Sequence, residues 1–362
     1  MSNHTAVLLD DGVGTSIAEP DLSAITGRVD ASLLSFLSEK ARAGELGQFA
    51  ELLRECVRAG GKRIRPLLCV LGWQAAGGGG DADLVYRWAA SLELFHLFAL
   101  IHDDIMDDSA TRRGRPTVHR MMAARHPYPA NGPAADGFGR NSAILIGDLA
   151  LVWAEEMLHA GQQPAAARRL VDQMRAEVMA GQYLDLAATG RVGCPVADVL
   201  RIAQLKTAKY TVERPLQIGA ALGGADGGLL GHCSAFAMPL GEAFQMRDDL
   251  LGVFGDPRRS GKPVLDDLRE GKPTIVLAVA GQRATPGQRE TLRDLVGRPD
   301  LDQDDAARVR QILTALQVPH AVGELISARY RQALHALDQA PFAAPAAAAL
   351  RTIAASIVSR SA

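Results

Sequence analysis

Apolar residues recur at helical spacing along almost the whole chain, in long Ala- and Leu-rich segments. Alternating Val, Ile and Thr runs bounded by turn residues are missing, so the pattern predicts an all-α protein. From Asp83, read as an N-cap, through Asp108 there is neither Gly nor Pro, and the segment is apolar almost all round until it meets an acidic cluster. That profile describes a central helix buried inside a bundle. Further helices are expected over Ser32 to Arg58, Lys62 to Ala76, Ser142 to Ala160, Ala165 to Ala188, Val196 to Leu222 and Gly228 to Leu251. Towards the C-terminus they are expected over Thr274 to Gln282, Gln288 to Val296, Ala306 to Leu316, His320 to Asp338 and Ala344 to Val358. Two stretches read as surface loops: His126 to Asn141, broken by prolines and glycines, and Gly255 to Pro273, rich in charge and glycine. Residues 1–25 lack periodicity and are expected to form a loose tail, leaving one helical domain over residues 26–362.

Composition narrows the function. With 48% hydrophobic and 22% charged residues the chain has ample core material, which excludes wholesale disorder. A net charge of -2 gives no general attraction to nucleic acid or anionic lipid, so any polyanion must be met by a local cluster. The longest charge-free stretches, Pro66 to Gly80 and Gly227 to Gly241, fall short of the roughly 20 apolar residues of a membrane span, and no transmembrane helix is expected. The first Lys or Arg is Arg28, after Asp10, Asp11, Glu19 and Asp21, which argues against a signal or transit peptide and makes the cytoplasm the expected compartment. Cys56, Cys69, Cys194 and Cys233 match neither a zinc-ligand spacing nor a redox pair and read as reduced thiols.

The chemistry begins at His102 to Val118, HDDIMDDSATRRGRPTV, at the foot of the central helix. Helix geometry puts Asp103 and Asp107 about 40° apart on one face, with Asp104 and Asp108 on a neighbouring stripe. Carboxylates crowded at the negative end of a helix dipole repel one another unless a cation binds. Their oxygens suit a hard ion such as Mg²⁺, which is held by one or two carboxylates plus water and substrate phosphates. A solvated acidic helix end is the alternative. Arg112, Arg113 and Arg115 follow at once, and guanidinium forks match phosphate oxygens. A second basic group, GGKRIRP from Gly60 to Pro66, sets Lys62, Arg63 and Arg65 at a helix start, where backbone N–H groups also favour anions. A third element, GEAFQMRDDLLGVFGD from Gly241 to Asp256, carries Gln245, Asp248 and Asp249 late in a predicted helix. Two acid clusters on separate helices, facing each other, suit several divalent ions around one highly charged group such as a diphosphate. Lys206 and Thr207 in KTAKYT, Lys262 in SGKP and Lys272 in EGKPT add cations.

In this combination and order the motifs GGKRIRP, HDDIMDDSATRRGRPTVH, AILIGDLAL, GQYLDLA, KTAKYT, AFQMRDD and EGKPT resemble those of the trans-isoprenyl diphosphate synthases, the polyprenyl synthetase family. The likeness runs from about residue 55 to residue 275. It implies a single large helical bundle around a central cavity, a Mg²⁺-dependent head-to-tail prenyl transfer, and a homodimer. Asp103 and Asp107, supported by Asp104, resemble the Mg²⁺ ligands of the first aspartate-rich motif, and Asp248, supported by Asp249, resembles that of the second. The resemblance implies about three Mg²⁺ ions in each site. Lys62, Arg65, His96 and Arg113 resemble the pocket for the isopentenyl diphosphate head group. Arg112, Lys206, Thr207, Gln245 and Lys262 resemble contacts to the allylic diphosphate, with Lys272 adding charge there. Gln182 and Asp185 resemble a supporting pair near the metals.

One position departs from the pattern. The second motif is commonly DDxxD, and here Gly252 stands in place of the last acid. This puts the second metal site in doubt, suggests that the helix ends early, and leaves Asp256 as a candidate substitute. It also keeps open a non-catalytic partner subunit that modifies an active synthase. A terpene cyclase would share the first motif but would carry an Asn/Ser/Glu metal motif in place of Asp248 and Asp249. Only Ile105 and Met106 separate the acid pairs of the first motif, and Phe98 lies shortly before it, which resembles synthases making geranylgeranyl diphosphate, with farnesyl diphosphate next. An ideal helical wheel places Ala99 and Phe95 nearer the Asp103 stripe than Phe98, so the pocket floor stays open among the three.

Overall fold

The computed structural model describes residues 20–42, 44–125, 132–159, 161, 164–191, 193–255 and 266–358. Helix α1, Leu22–Ala41, starts inside the expected tail because the Asp21 carboxylate accepts from the N–H groups of Ser23 and Ala24 and caps it. Its stripe Ile25, Val29, Leu33 and Leu37 is buried. A single helix from Ser32 to Arg58 is not what forms. Gly44, at φ +64°, opens a short turn at Gly44–Leu46 before α2, Gly47–Arg58. Helix α3, Ile64–Ala75, leads to α4, Ala82–Met106, the expected central helix, whose N-cap is Asp81 and not Asp83. Among the described residues α4 is the one helix long and apolar enough by composition to cross a membrane, and most of it is buried among its neighbours.

After α4 the chain makes a two-stranded hairpin, β1 Thr111–Arg112 against β2 Arg115–Pro116, followed by α5, Val118–Ala124. Both turn residues, Arg113 and Gly114, have positive φ, as a two-residue hairpin turn of this twist requires. Helix α6, Pro133–Leu158, takes up much of the stretch expected to be a loop. Pro133 sits in its first turn, where the missing N–H costs nothing, and Ala135, Gly139, Ala143 and Ile146 bury one face. Then come α7, Ala165–Ala188, and α8, Val196–Ala203. The latter runs without a break into a π-helical segment, Gln204–Glu213, and on into α9, Arg214–Leu222. Helix α10, Gly227–Phe254, continues past Gly252 instead of ending there. The short α11, Asp266–Glu270, precedes α12, Ile275–Arg283, and α13, Pro286–Leu295. The chain closes with α14, Gln303–Ala315, α15, Val318–Gln339, and α16, Ala344–Val358.

The protein is all-α apart from the hairpin, with one core around α4 and a second between α10 and the C-terminal helices α12 to α15. All four cysteines are free thiols, and burial pushes Cys69 and Cys233 up to about 12.

Candidate active site

Asp103, Asp104, Asp107, Arg112, Gln182, Asp185, Lys206 and Lys272 gather at the C-terminal end of α4. The helix stops at Met106 because Asp107 caps it and Asp108 turns to φ +49°, which leaves Asp103 and Asp107 one turn apart at its rim. Three cations reach these acids from three elements. Lys206, on the π segment, lies 3.3 Å from Asp103 and 2.6 Å from Asp185 of α7. Arg112, on the hairpin, lies 3.3 Å from Asp103 and 2.6 Å from the buried Asp104. Lys272, in the turn before α12, lies 2.7 Å from Asp107 and 2.8 Å from Glu270. The Gln182 amide donates to Asp103 at 3.2 Å.

This crowding depends on small residues. A side chain on Gly181 of α7 would strike the Lys206 backbone N at 2.6 Å, and one on Gly241 of α10 would strike Ala208 Cα at 2.4 Å. Both helices therefore close directly on the π segment, whose wider turn marks functional sites in other helices. Thr207 donates from Oγ1 to Gln245, the Gln245 amide donates to Asp249 at 2.7 Å, and Asp249 accepts the Ile275 backbone N–H at 2.9 Å.

The electrostatics follow from the packing. Burial works against the Asp103 charge, yet Lys206, Lys272 and Arg112 hold its carboxyl below the usual range. Burial likewise opposes the charge on Lys272, but Asp107, Glu270, Asp103 and Asp267 hold its ammonium well above its ordinary range. Lys272 thus sits where the acids at the end of α4 and the acids of α11 converge. Burial, against the help of Gln245 and Ile275 and with Asp267 and Asp248 adding to it, pushes Asp249 up to about 7. Asp249 is therefore a clamp between α10 and the start of α12, beside the half-buried Asp248.

Gly252 is explained by its neighbour. A Cβ there would fall 2.0 Å from Oδ2 of Asp267, so the space that a third acid of the motif would need already holds a carboxylate. Sequence reading missed Asp267 because it lies in a charged run that looks like solvated loop. Asp256 and Lys262 lie outside the described residues.

A second basic group surrounds His96 of α4 and draws on α3 and the hairpin turn. Arg65 donates to Thr211 Oγ1 at 2.7 Å and stacks 4.1 Å over the Tyr210 ring, and Arg113 donates to the Gly60 carbonyl oxygen. His96 Nδ1 is 3.1 Å from the Tyr210 hydroxyl. Burial holds His96 well below its ordinary value, reinforced by Arg65, Arg113, Arg112 and Arg63. Arg65 and Arg113 are bound to a hydroxyl and a carbonyl rather than to carboxylates, which leaves a net positive cluster, the basic recess of the site proposed below. Lys62 is exposed. Arg63, counted with this group from sequence, turns the other way: at φ +48° it is buried, bonded to Asp30 at 2.7 Å, Glu93 at 2.8 Å and the Val57 carbonyl at 2.7 Å.

Of the three pocket candidates, Phe95 is buried against Tyr210 and against Phe98, at 5.9 and 5.3 Å between ring centroids. Phe98 is half-buried and stacks 4.7 Å from His102, and Ala99 is half-buried. The partly open aromatic face on this side of α4 is thus that of Phe98.

Residues 47–315 match the polyprenyl synthetase family. The chain is 36% identical over 264 residues to the geranylfarnesyl diphosphate synthase of Aeropyrum pernix, covering 71% of this chain and 76% of that protein. It is 31% identical over 318 residues to the (2E,6E)-farnesyl diphosphate synthase of Mycobacterium tuberculosis, covering 86% and 81%. Among solved structures, the geranylgeranyl pyrophosphate synthase of Corynebacterium glutamicum, complexed with isoprenyl diphosphate and magnesium, superposes with a TM-score of 0.89 at 38% identity, covering 94% of this chain and 100% of that one. By motif order, helical architecture and these likenesses, the chain belongs to the polyprenyl synthetase family of prenyltransferases.

Proposed function

We propose that the protein joins isopentenyl diphosphate head-to-tail to an allylic diphosphate and releases an all-trans prenyl diphosphate, geranylgeranyl diphosphate in preference to farnesyl diphosphate. The observation that carries this reading is the pairing of two distinct charged groups beside α4: acids with paired cations around Asp103 and Asp107, and the positive cluster of Arg65, Arg113 and His96. A reaction between two diphosphates needs both.

Among the described residues no three His, Cys, Asp or Glu side chains form a ready-made metal cage. Magnesium does not ask for one, since it keeps waters and binds one or two carboxylates with substrate phosphates. The Asp103 and Asp107 carboxylates, one turn apart at the rim of α4, fit that habit. On this reading Asp103, Asp107 and Asp248 would hold Mg²⁺, about three ions in all, with the allylic diphosphate. Bound magnesium supplies positive charge that stabilises the departing diphosphate.

The chain's own groups then divide the work. Lys206, Arg112 and Lys272 turn from carboxylates to diphosphate oxygens and stabilise the charge that builds as the allylic C–O bond breaks. Thr207 and Gln245, joined by their hydrogen bond, border the same diphosphate, with Lys262 as a further contact. Lys62, Arg65, His96 and Arg113 hold isopentenyl diphosphate so that its double bond faces the allylic cation, and the apolar walls keep water away from that cation. The proton released after carbon–carbon bond formation leaves with the diphosphate. No nucleophilic side chain is needed.

Incubation with isopentenyl diphosphate and allylic primers of increasing length should give products ending at geranylgeranyl diphosphate, and none when magnesium is chelated. In the same chromatographic assay Phe98→Ala should lengthen the product by at least one isoprene unit. Unchanged product length in that variant would remove Phe98 as the floor of the pocket. Turnover that appears only when a second synthase chain is added would favour the partner-subunit reading, whose main support, Gly252, is weakened by the Asp267 carboxylate beside it.

The working unit is proposed to be a homodimer. Leu145 and Val152 on α6 are 66% and 60% exposed, and Met179, Tyr183 and Leu186 expose an apolar stripe at helical spacing on α7. The two helices are joined by the Arg175–Glu155 ion pair at 2.5 Å, so the stripes belong to neighbouring elements. A Leu145→Asp, Val152→Asp double variant should sediment as a monomer at concentrations where the parent is dimeric. A parent that is monomeric throughout would refute the assignment.

A further inference from the structure

Tyr210 is the residue around which the basic recess is built. Its ring carries the Arg65 guanidinium on one face at 4.1 Å, meets Phe95 edge-on at 5.9 Å, and its hydroxyl lies 3.1 Å from His96 Nδ1. The residue is 4% exposed, so the hydroxyl is cut off from bulk water. Among the described residues it has no second polar partner.

That isolation decides the direction of the bond. A hydrogen bond between a phenol and an imidazole nitrogen can run either way, depending on which ring nitrogen carries the proton. If Nδ1–H donated to the phenol oxygen, the phenol proton would be buried with no acceptor, which a protein interior disfavours. If the phenol donates, its proton is satisfied, Nδ1 is the acceptor, and the imidazole proton must sit on Nε2. Burial pushes the Tyr210 phenol up to about 12, so the proton needed for this bond is present throughout the neutral range.

We propose that Tyr210 is a positioning residue: its hydroxyl fixes the tautomer of His96, so that a neutral Nε2–H serves as donor to the isopentenyl diphosphate head group. This rests on the reading of the recess given above. The charge pattern makes a neutral donor useful. With Arg63, Arg65, Arg112 and Arg113 around it, a protonated imidazole would add repulsion before any anion arrived, whereas the wrong neutral tautomer would turn a lone pair towards the phosphate oxygens. Among the described residues Nε2 makes no protein hydrogen bond, so it is the nitrogen left for a ligand.

The test is Tyr210→Phe, which keeps the ring and its packing and removes only the hydroxyl. Nitrogen-15 NMR of the labelled full-length protein should place the His96 proton on Nε2 in the parent and shift population towards Nδ1 in the variant. The KM for isopentenyl diphosphate should rise about tenfold, the value of one hydrogen bond, while the KM for the allylic substrate stays within about twofold. In a His96→Ala background the same change should add nothing further to the KM for isopentenyl diphosphate. A parent with the proton on Nδ1, an unchanged tautomer in Tyr210→Phe, or an equal KM effect in both backgrounds would each overturn the proposal. If His96→Ala alone leaves that KM unchanged, the head-group assignment fails and the donor role with it, while the parent spectrum still decides the tautomer independently.

Discussion

Asp103→Asn is expected to lower kcat at least about a thousandfold, a loss of about 4 kcal/mol of transition-state stabilisation. Asp103 accepts from Lys206, Arg112 and Gln182 at once, so it organises cations arriving from the π segment and the hairpin, and the proposed mechanism adds a metal to its partners. An amide keeps the shape of the side chain but loses the charge, and it turns a donor towards one of those three donors. The fold should survive. Asp103 is only half-buried, Arg112 keeps its tighter pair with Asp104 at 2.6 Å, and Lys206 keeps Asp185 at 2.6 Å. Steady-state elongation assays with both diphosphates, run beside thermal melts, would check this. Activity within tenfold of the parent in a normally folded Asp103→Asn protein would remove Asp103 from the reaction, and the mechanism would have to be rebuilt on other groups.

The reach of the sequence can be judged from that site. Asp103, Asp104 and Asp107 were legible because they end an unbroken apolar helix, and acids at a helix C-terminus break a local electrostatic rule that only a cation restores. Lys206, Gln182 and Lys272 were legible as members of motifs, but their partners were not, because each pair joins elements far apart in the chain. Arg63 shows the limit most clearly. By composition it belongs to the basic group, yet a left-handed backbone turns it towards Glu93 and Asp30, and φ at a single residue is not readable from residue type. The same holds for α6, where a stretch with three prolines and three glycines reads as loop although Pro133 starts a helix, and for Gly44, whose turn splits what reads as one continuous helix. Tyr210 escaped notice because a lone aromatic at helical spacing is usually core. Its hydroxyl acquires meaning only when His96 is seen beside it.

Restoring the missing acid should harm the protein. Gly252→Asp recreates the usual DDxxD spelling, and on sequence alone it would be expected to improve metal binding. A Cβ at this position would lie 2.0 Å from Asp267 Oδ2 and 3.1 Å from its Cγ, so the Asp267 carboxylate must swing away before even alanine fits. An aspartate would add a second negative charge to a pocket where Asp249 is already pushed up to about 7 by burial and by Asp267 and Asp248. Overpacking of this kind costs about 1–3 kcal/mol, and if Asp267 takes the place of the motif's last acid, displacing it raises the metal requirement about 10–100-fold. Gly252→Asp should therefore need about tenfold more Mg²⁺ for half-maximal activity, and Asp267→Ala should show a similar shift. The two changes together move the carboxylate from α11 to α10 without crowding, so the double variant should recover most of the loss in both melting temperature and Mg²⁺ requirement. Magnesium titrations of the four proteins form a closed cycle. Additive losses would mean that Asp267 and position 252 act separately. Recovery in the double variant would mean that the last carboxylate of the motif has changed its address in the chain and kept its place in space.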